Sequence, residues 1–416
     1  MSRWREVRLE DKIKTLKGFA FKSSFYKDKG VPVVRVSDFT EWKISKENIV
    51  YVDPKDEYEE FKLKEMDILC QTVGSWLNNP KSIVGKIVRV PKYLNNSYLN
   101  QNIVKIIPKK KFSNNFLFYR LKADDFKYYC VNSAQGAANQ ASITLETIRK
   151  FKFQIPDPET QEKIADILST YDELIENNNR RIEILEKTAE EIYKEWFVRM
   201  RFPGHENTRF EKGIPEGWEE VKLEDICNLV RGISYSTKEV EKDLGIAMLT
   251  LKSVNAYGGY NYDGLRFYDG KISDRHYIKK NDLIMAITDM TQDRRVIGQV
   301  CLVPRLHYEE LVFSADLILL DDLKIEKSYM YSLLRYGGIS RYISTFSNGA
   351  NVLHLNQRTL NNIRFYIAPE KLRIDYDKIH VDIQDKINNL QLQNQNLAKQ
   401  RDLLLPRLMN GTIEVK

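Results

Sequence analysis

The sequence predicts an α+β protein made of two tandem repeats, each a mixed lobe of strands and short helices followed by one long helix. Three observations carry this. The chain repeats itself at about half of its 416 residues. Short β-branched or aliphatic runs bounded by Gly, Pro or Asn fill the first part of each repeat, and each repeat closes on apolar residues recurring at alternating steps of four and three.

The repeat is explicit. Trp4-Arg5-Glu6-Val7-Arg8-Leu9-Glu10-Asp11 returns as Trp218-Glu219-Glu220-Val221-Lys222-Leu223-Glu224-Asp225, and Phe21-Lys22-Ser23 as Tyr235-Ser236-Thr237, both 214 residues on. Asp67-Ile68-Leu69 matches Asp282-Leu283-Ile284, Val84-Gly85 matches Ile297-Gly298, and Gln135-Gly136-Ala137 matches Asn348-Gly349-Ala350. Two copies of one lobe imply one task performed at two places. The expected divisions are a lobe at 1–158, a helix at 159–200, a linker at 201–216 marked by its Pro and Gly content, a second lobe at 217–372, a second helix at 373–410 and a tail at 411–416.

Within the lobes the runs Val31–Val36, Ile83–Val90, Ile103–Ile107, Val296–Val303 and Leu311–Leu320 read as strands of a twisted, largely antiparallel sheet. Phe116–Leu121 and Tyr329–Leu334 read as amphipathic helices. Asp157-Pro158-Glu159 reads as a helix start, since Pro and acidic residues suit a first turn.

The long helices carry a 3.5-residue period. The first seam runs through Ile164, Leu168, Tyr171, Ile175, Asn178, Ile182, Leu185, Ala189, Ile192 and Trp196. The second runs through Ile383, Ile387, Leu390, Asn394, Leu397, Arg401, Leu404 and Leu408, in the same register 212 residues on. A lone helix of this length cannot bury such a stripe, so the two are expected to pack along each other. Asn178 and Asn394 stand where a buried amide fixes pairing at a cost in stability.

Charge is uneven. The first 158 residues hold 29 basic and 18 acidic side chains, whereas residues 159–199 hold 6 and 11. A basic lobe beside an acidic rod points to a polyanion met by the lobe. The four scattered cysteines (Cys70, Cys130, Cys227, Cys301) and five isolated histidines form no zinc or disulfide pattern. The charged N-terminus and the lack of an apolar run of about 18 residues lead us to expect a cytoplasmic protein with no membrane partner. Phosphate-loop, dinucleotide and His-Glu-x-x-His signatures are missing, and Asn79-Pro80-Lys81-Ser82 does not match the Asn-Pro-Pro-Tyr motif of amino-methyltransferases. No catalytic or metal-ligating residue is therefore expected on this chain.

The lobes do offer hydrogen-bonding loops at matched places. Gln71–Ser82 corresponds to Thr288–Arg295, and Gln135–Gln140 to Asn348–Asn351. Amides and guanidinium groups bind base edges, whereas Ser, Thr and Lys contact phosphate readily. The candidate DNA-contacting residues are Lys22, Ser23, Gln71, Thr72, Trp76, Asn78, Asn79, Lys81, Lys109, Lys110, Lys111, Gln135, Asn139 and Gln140 in the first lobe. Those in the second are Ser236, Thr288, Thr291, Gln292, Arg294, Arg295, Asn348 and Asn351.

The string Trp196-Phe197-Val198-Arg199-Met200-Arg201-Phe202-Pro203-Gly204-His205, followed by Ile214-Pro215-Glu216-Gly217-Trp218, and the ending Leu405-Pro406-Arg407-Leu408-Met409-Asn410-Gly411 resemble the specificity subunit of Type I restriction–modification enzymes. The order lobe, helix, lobe, helix extends that resemblance over the whole chain. It implies two target-recognition domains, each reading half of a split double-stranded DNA sequence, and an antiparallel helix pair docking two methyltransferase subunits. It further implies S-adenosylmethionine on those subunits, and ATP and Mg on two restriction and translocation subunits. One departure is that the family often has Gly before Asp67 and Asp282, where this chain has Met66 and Asn281. The turn before Cys70 is thus expected to differ in the first lobe. Two competing readings are a self-contained DNA methyltransferase with divergent motifs and a coiled-coil scaffold without a DNA role.

Overall fold

The computed structural model describes residues 4–77, 79, 82–110, 112–137, 140–240 and 244–415. The chain forms two compact units, residues 1–177 with 394–416, and residues 178–393. Both long helices pass through this division, so each unit holds one lobe and half of each helix.

In the first lobe, β1 (Ile13–Lys17), β2 (Ile68–Gln71), β3 (Ile87–Arg89) and β4 (Ile103–Pro108) form an antiparallel sheet in the order β1-β4-β2-β3. In the second, β5 (Asn228–Arg231), β6 (Leu283–Ala286), β7 (Val300–Leu302) and β8 (Leu317–Asp321) repeat it in the order β5-β8-β6-β7. Side chains of the central strands alternate between two cores. Ile68 and Cys70 join the helical core of α1 (Asn114–Lys122), whereas Leu69 faces a second core with Val34, Leu63 and Val88. Leu283 and Met285 likewise face one core, Ile284 and Ala286 the other. Burial on both faces is why these strands read as unbroken apolar runs.

The run Leu311–Leu320 is two strands, not one. Leu311–Phe313 pairs in parallel with Ile246–Leu249, and β8 begins at Leu317. Between them Leu317 N–H bonds to the Ser314 carbonyl at 2.9 Å and Ala315 N–H to that of Ile233 at 2.7 Å, turning the chain from one sheet into the other. Ile83–Val90 is strand only at β3, because Val84 and Gly85 spend their N–H groups on the Ser75 and Gln71 carbonyls.

The turn before β2 does not differ from its counterpart. Met66 and Asn281 both adopt φ 68°. In each lobe the following aspartate accepts from the backbone three residues earlier, Lys64 N–H to Asp67 at 2.7 Å and Lys279 N–H to Asp282 at 2.8 Å. Met66 N–H is further tied to Val90 and Asn281 N–H to Val303. These bonds impose the left-handed residue whatever its side chain, and methionine bears the strain. Since Met66 is 40% exposed, Met66→Gly loses little packing. It is expected to stabilise the protein by about 1 kcal/mol in equilibrium urea unfolding.

Helix α2 (Pro158–Tyr193) starts where expected, with Thr160 N–H bonded to Asp157 at 3.0 Å. That bond and the Thr160 hydroxyl hold the exposed Asp157 carboxyl below its usual range. The helix runs into a wider turn, Lys194–Val198, which inserts Phe197 among Tyr193, Tyr329 and Tyr376, with Trp218 beside it. The aromatic junction string is thus part of the second unit's core. Residues 210–215 form a small hairpin turned at Lys212 and Gly213, both left-handed.

Helix α3 (Lys327–Tyr336) is the second lobe's counterpart of α1, and α4 (Glu370–Met409) is the second long helix. In the first unit, Ile164 and Leu168 of α2 share a core with Leu404, Leu405, Leu408 and Met409 of α4. In the second, Ile182, Leu185, Ala189 and Ile192 of α2 meet Ile383, Ile387 and Leu390 of α4. The start of one helix thus packs on the end of the other, which makes the pair antiparallel. Asn178 is buried; Ile175, Asn394 and Leu397 are half-buried.

Candidate nucleic acid interface

Strand register decides which loops meet. β2 ends at Gln71 opposite Ile103, the first residue of β4, and β1 ends at Lys17 opposite Val104. The segment after Lys17, the loop after Gln71 and the start of β4 therefore share one end of the sheet. In the second lobe Arg231 and Ala286, paired with Ile318 and Leu317, bring the same segments together. A short ribbon adds the glycine turn: Val73–Gly74 pairs with Ala141–Ser142, and Thr288–Asp289 with Leu353–His354.

Each turn closes in the same way. Gln135 and Ser142 exchange backbone hydrogen bonds at 2.9 and 2.8 Å, and Asn348 and His354 at 3.0 and 2.9 Å. Gly136 and Gly349 both take φ 145°, where a Cβ would lie 2.0 Å from the Gln140 carbonyl oxygen and 1.9 Å from that of Val352. Only glycine fits either place.

The loop bases are held by opposite chemistry. In the first lobe Gln71, 1% exposed, donates its amide to the carbonyls of Val73 (2.9 Å) and Ser82 (3.0 Å). In the second, Asp289, 2% exposed, accepts from the N–H groups of Thr291 and Val296 (both 2.9 Å) and Ile297 (3.3 Å). Burial pushes this carboxyl up, but those bonds and the Thr291 hydroxyl outweigh it and hold it below the usual carboxylate range. At the tips, Trp76 Nε1 donates to the Ala137 carbonyl (3.2 Å) and Gln292 Nε2 to the Ala350 carbonyl (3.0 Å). In each lobe the loop and the glycine turn therefore lie side by side.

The sequence pattern of the type I restriction modification DNA specificity domain matches residues 1–187 and again residues 215–400. The chain belongs to this family. It is 28% identical over 332 residues to the type I restriction enzyme MjaIX specificity subunit of Methanocaldococcus jannaschii, covering 76% of this chain and 73% of that one. It is 23% identical to the MjaVIII specificity subunit of the same organism, covering 99% and 93%. The fold is similar to the crystal structure of the Type I restriction-modification system S subunit from M. genitalium, with a TM-score of 0.54 and 15% identity over all of this chain and 97% of that one.

Three candidate residues of these specificity domains are corrected by their burial. Gln71 is the strut just described, Thr72 donates to the Asn102 carbonyl (2.9 Å), and Thr288 donates to Asp316 (3.1 Å). With exposures of 1, 7 and 1% they shape the loops and present nothing to a ligand. Exposed are Lys22, Ser23, Asn79, Gln135 and Gln140 in the first domain. In the second they are Ser236, Thr291, Gln292, Arg294, Asn348 and Asn351. Trp76 and Arg295 are half-buried, Arg295 pairing with Asp293 at 2.7 Å, while Ser236 binds Glu239 through its hydroxyl at 2.8 Å. Asn78, Lys81, Lys111 and Asn139 lie outside the described residues.

Lys109 does not join these loops. Lys109 follows the far end of β4, six residues past Ile103 and so roughly 20 Å away at ~3.3 Å per residue. There its ammonium donates to the Glu10 carbonyl at 2.8 Å. Sequence reasoning also missed Asp289 and Asp316 as loop organisers. For Asp289 the signal was an acidic side chain inside a loop taken to face a polyanion; Asp316 lay inside the run Leu311–Leu320, which reads as one strand. Among the described residues no group of His, Cys, Asp and Glu is placed to hold a metal, and no helix is long and apolar enough to cross a membrane. The four cysteines are buried and unpaired, and burial pushes the thiols of Cys130, Cys227 and Cys301 up to about 12.

Proposed function

We infer that this chain is the DNA specificity subunit of a type I restriction–modification complex, reading an asymmetric, split sequence with one half per lobe. The observation that carries the reading is that one backbone frame recurs with different chemistry at its presented loops. Asn79, Gln135 and Gln140 in one lobe stand where the other has Thr291, Arg294, Asn348 and Asn351. A conserved frame with exchanged amide and guanidinium groups suits two different sets of base edges.

The chain contributes no reacting group on this reading. Two methyltransferase subunits, carrying S-adenosylmethionine, dock on the paired helices and modify adenine. Two restriction and translocation subunits supply ATP- and Mg-dependent cleavage. Exposed apolar residues on the helices (Ile167, Leu174, Ile184, Val381, Leu403) support such docking. Lys109 and Lys110, remote from the loops, take no part in reading bases. Mapping methylated adenines in the host genome tests the function. Two different short half-sites separated by a fixed number of unread bases are expected, and a palindromic or continuous site contradicts the reading.

A further inference from the structure

We propose that Trp76 and Gln292 are positioning residues which latch each lobe's glycine turn to its neighbouring loop, so that the two segments present bases with one rigid surface. The proposal rests on the DNA reading above and adds to it the residues that fix the geometry.

The two latches are not equivalent in sequence. Trp76 stands two residues beyond Gly74, Gln292 three beyond the matching Asp289, and the second loop is two residues shorter from there to its own glycine, Gly298 against Gly85. Yet both reach the same acceptor, the carbonyl of the alanine that follows the left-handed glycine. An indole N–H and an amide N–H thus make one contact from different places. Loop drift alone gives no reason for that coincidence. A shared need does: the turn otherwise hangs on a ribbon two residues wide, and Gln135–Ala137 and Ser347's neighbours Asn348–Asn351 are exposed. A single exposed hydrogen bond adds little to global stability, of the order of 1 kcal/mol. Its consequence falls on how accurately the presented amides are held, where small displacements forfeit bidentate contacts.

The test uses the full chain assembled with its methyltransferase subunits, acting on a duplex library randomised in one half-site at a time. Trp76→Phe keeps an aromatic ring and removes the donor; Gln292→Met keeps the side-chain length and removes the amide. Each is expected to lower discrimination roughly three- to tenfold at the half-site of its own lobe, leaving the other half-site unchanged; the unfolding midpoint stays unchanged in Gln292→Met. A chain already carrying Gln135→Ala and Gln140→Ala gains no further relaxation from Trp76→Phe, because the latch acts through the turn. If Trp76→Phe keeps its full effect in that background, the indole reads DNA itself and the latch is refuted. Unchanged discrimination in both latch variants refutes it as well. A wild-type chain that selects no sequence refutes the DNA reading on which the proposal rests.

Discussion

Asp172→Ala is expected to destabilise the first unit by about 3 kcal/mol. Arg401 occupies a seam position of α4 where the 3.5-residue period calls for an apolar side chain, and it is 4% exposed. Its guanidinium lies 3.4 Å from the centre of the Trp42 ring and pairs with Asp172 at 2.5 Å and with Asp402 at 2.9 Å. Asp172 also accepts from the Tyr119 hydroxyl at 2.6 Å, and burial together with that carboxylate raises the phenol's pKa. Removing Asp172 leaves a desolvated cation with only the half-exposed Asp402, and strands a buried hydroxyl. Breaking one side of a buried ion pair costs about 3–5 kcal/mol, while replacing both partners by apolar groups is close to neutral. The paired replacement Asp172→Leu with Arg401→Leu should therefore recover most of the loss. Urea unfolding followed by tryptophan fluorescence measures both, and a loss below about 1 kcal/mol for Asp172→Ala contradicts this account of the clamp.

Gly349→Ala carries the second large effect, and it falls on recognition. The added Cβ would sit 1.9 Å from the Val352 carbonyl oxygen on a residue at φ 145°, a conformation costing roughly 1–3 kcal/mol for any other residue. The turn is exposed and ends in a two-residue ribbon, so it opens locally instead of unfolding the lobe. Discrimination at one half-site should fall about ten- to a hundredfold, the worth of one or two bidentate base contacts. The unfolding midpoint should stay almost unchanged. Equal loss at both half-sites would show that the turn positions DNA in general.

The repeat, the lobes and the helix pairing were legible because burial demands them twice. Both lobes need central strands apolar on both faces, and both helices need a stripe at one register. What stayed illegible was the purpose of polar residues. Gln71, Thr72 and Thr288 looked like readers because polarity in a loop was taken as exposure. They are polar because the bent backbone beside them has carbonyls, or in Thr288's case a carboxylate, that need donors. Lys109 follows the end of β4 opposite to the loops, which only strand register reveals. The break at Ser314-Ala315-Asp316 was hidden because both flanking strands are buried. Met66 misled in another way: side-chain preference argued against a left-handed turn, but backbone bonds to Asp67 and Val90 override a preference worth about 1–2 kcal/mol. Arg401 stands in the seam pattern as its one charged residue, and its role emerges only from its contacts with Asp172 and Trp42.

The central claim is that two copies of one scaffold read two different half-sites independently. Methylation of a library randomised in each half-site in turn, compared between the wild-type chain and Gly349→Ala, tests it most directly. Two distinct half-site preferences are expected, of which Gly349→Ala relaxes the second lobe's and leaves the first intact. A single preference shared by both halves, or simultaneous relaxation of the two, would contradict it.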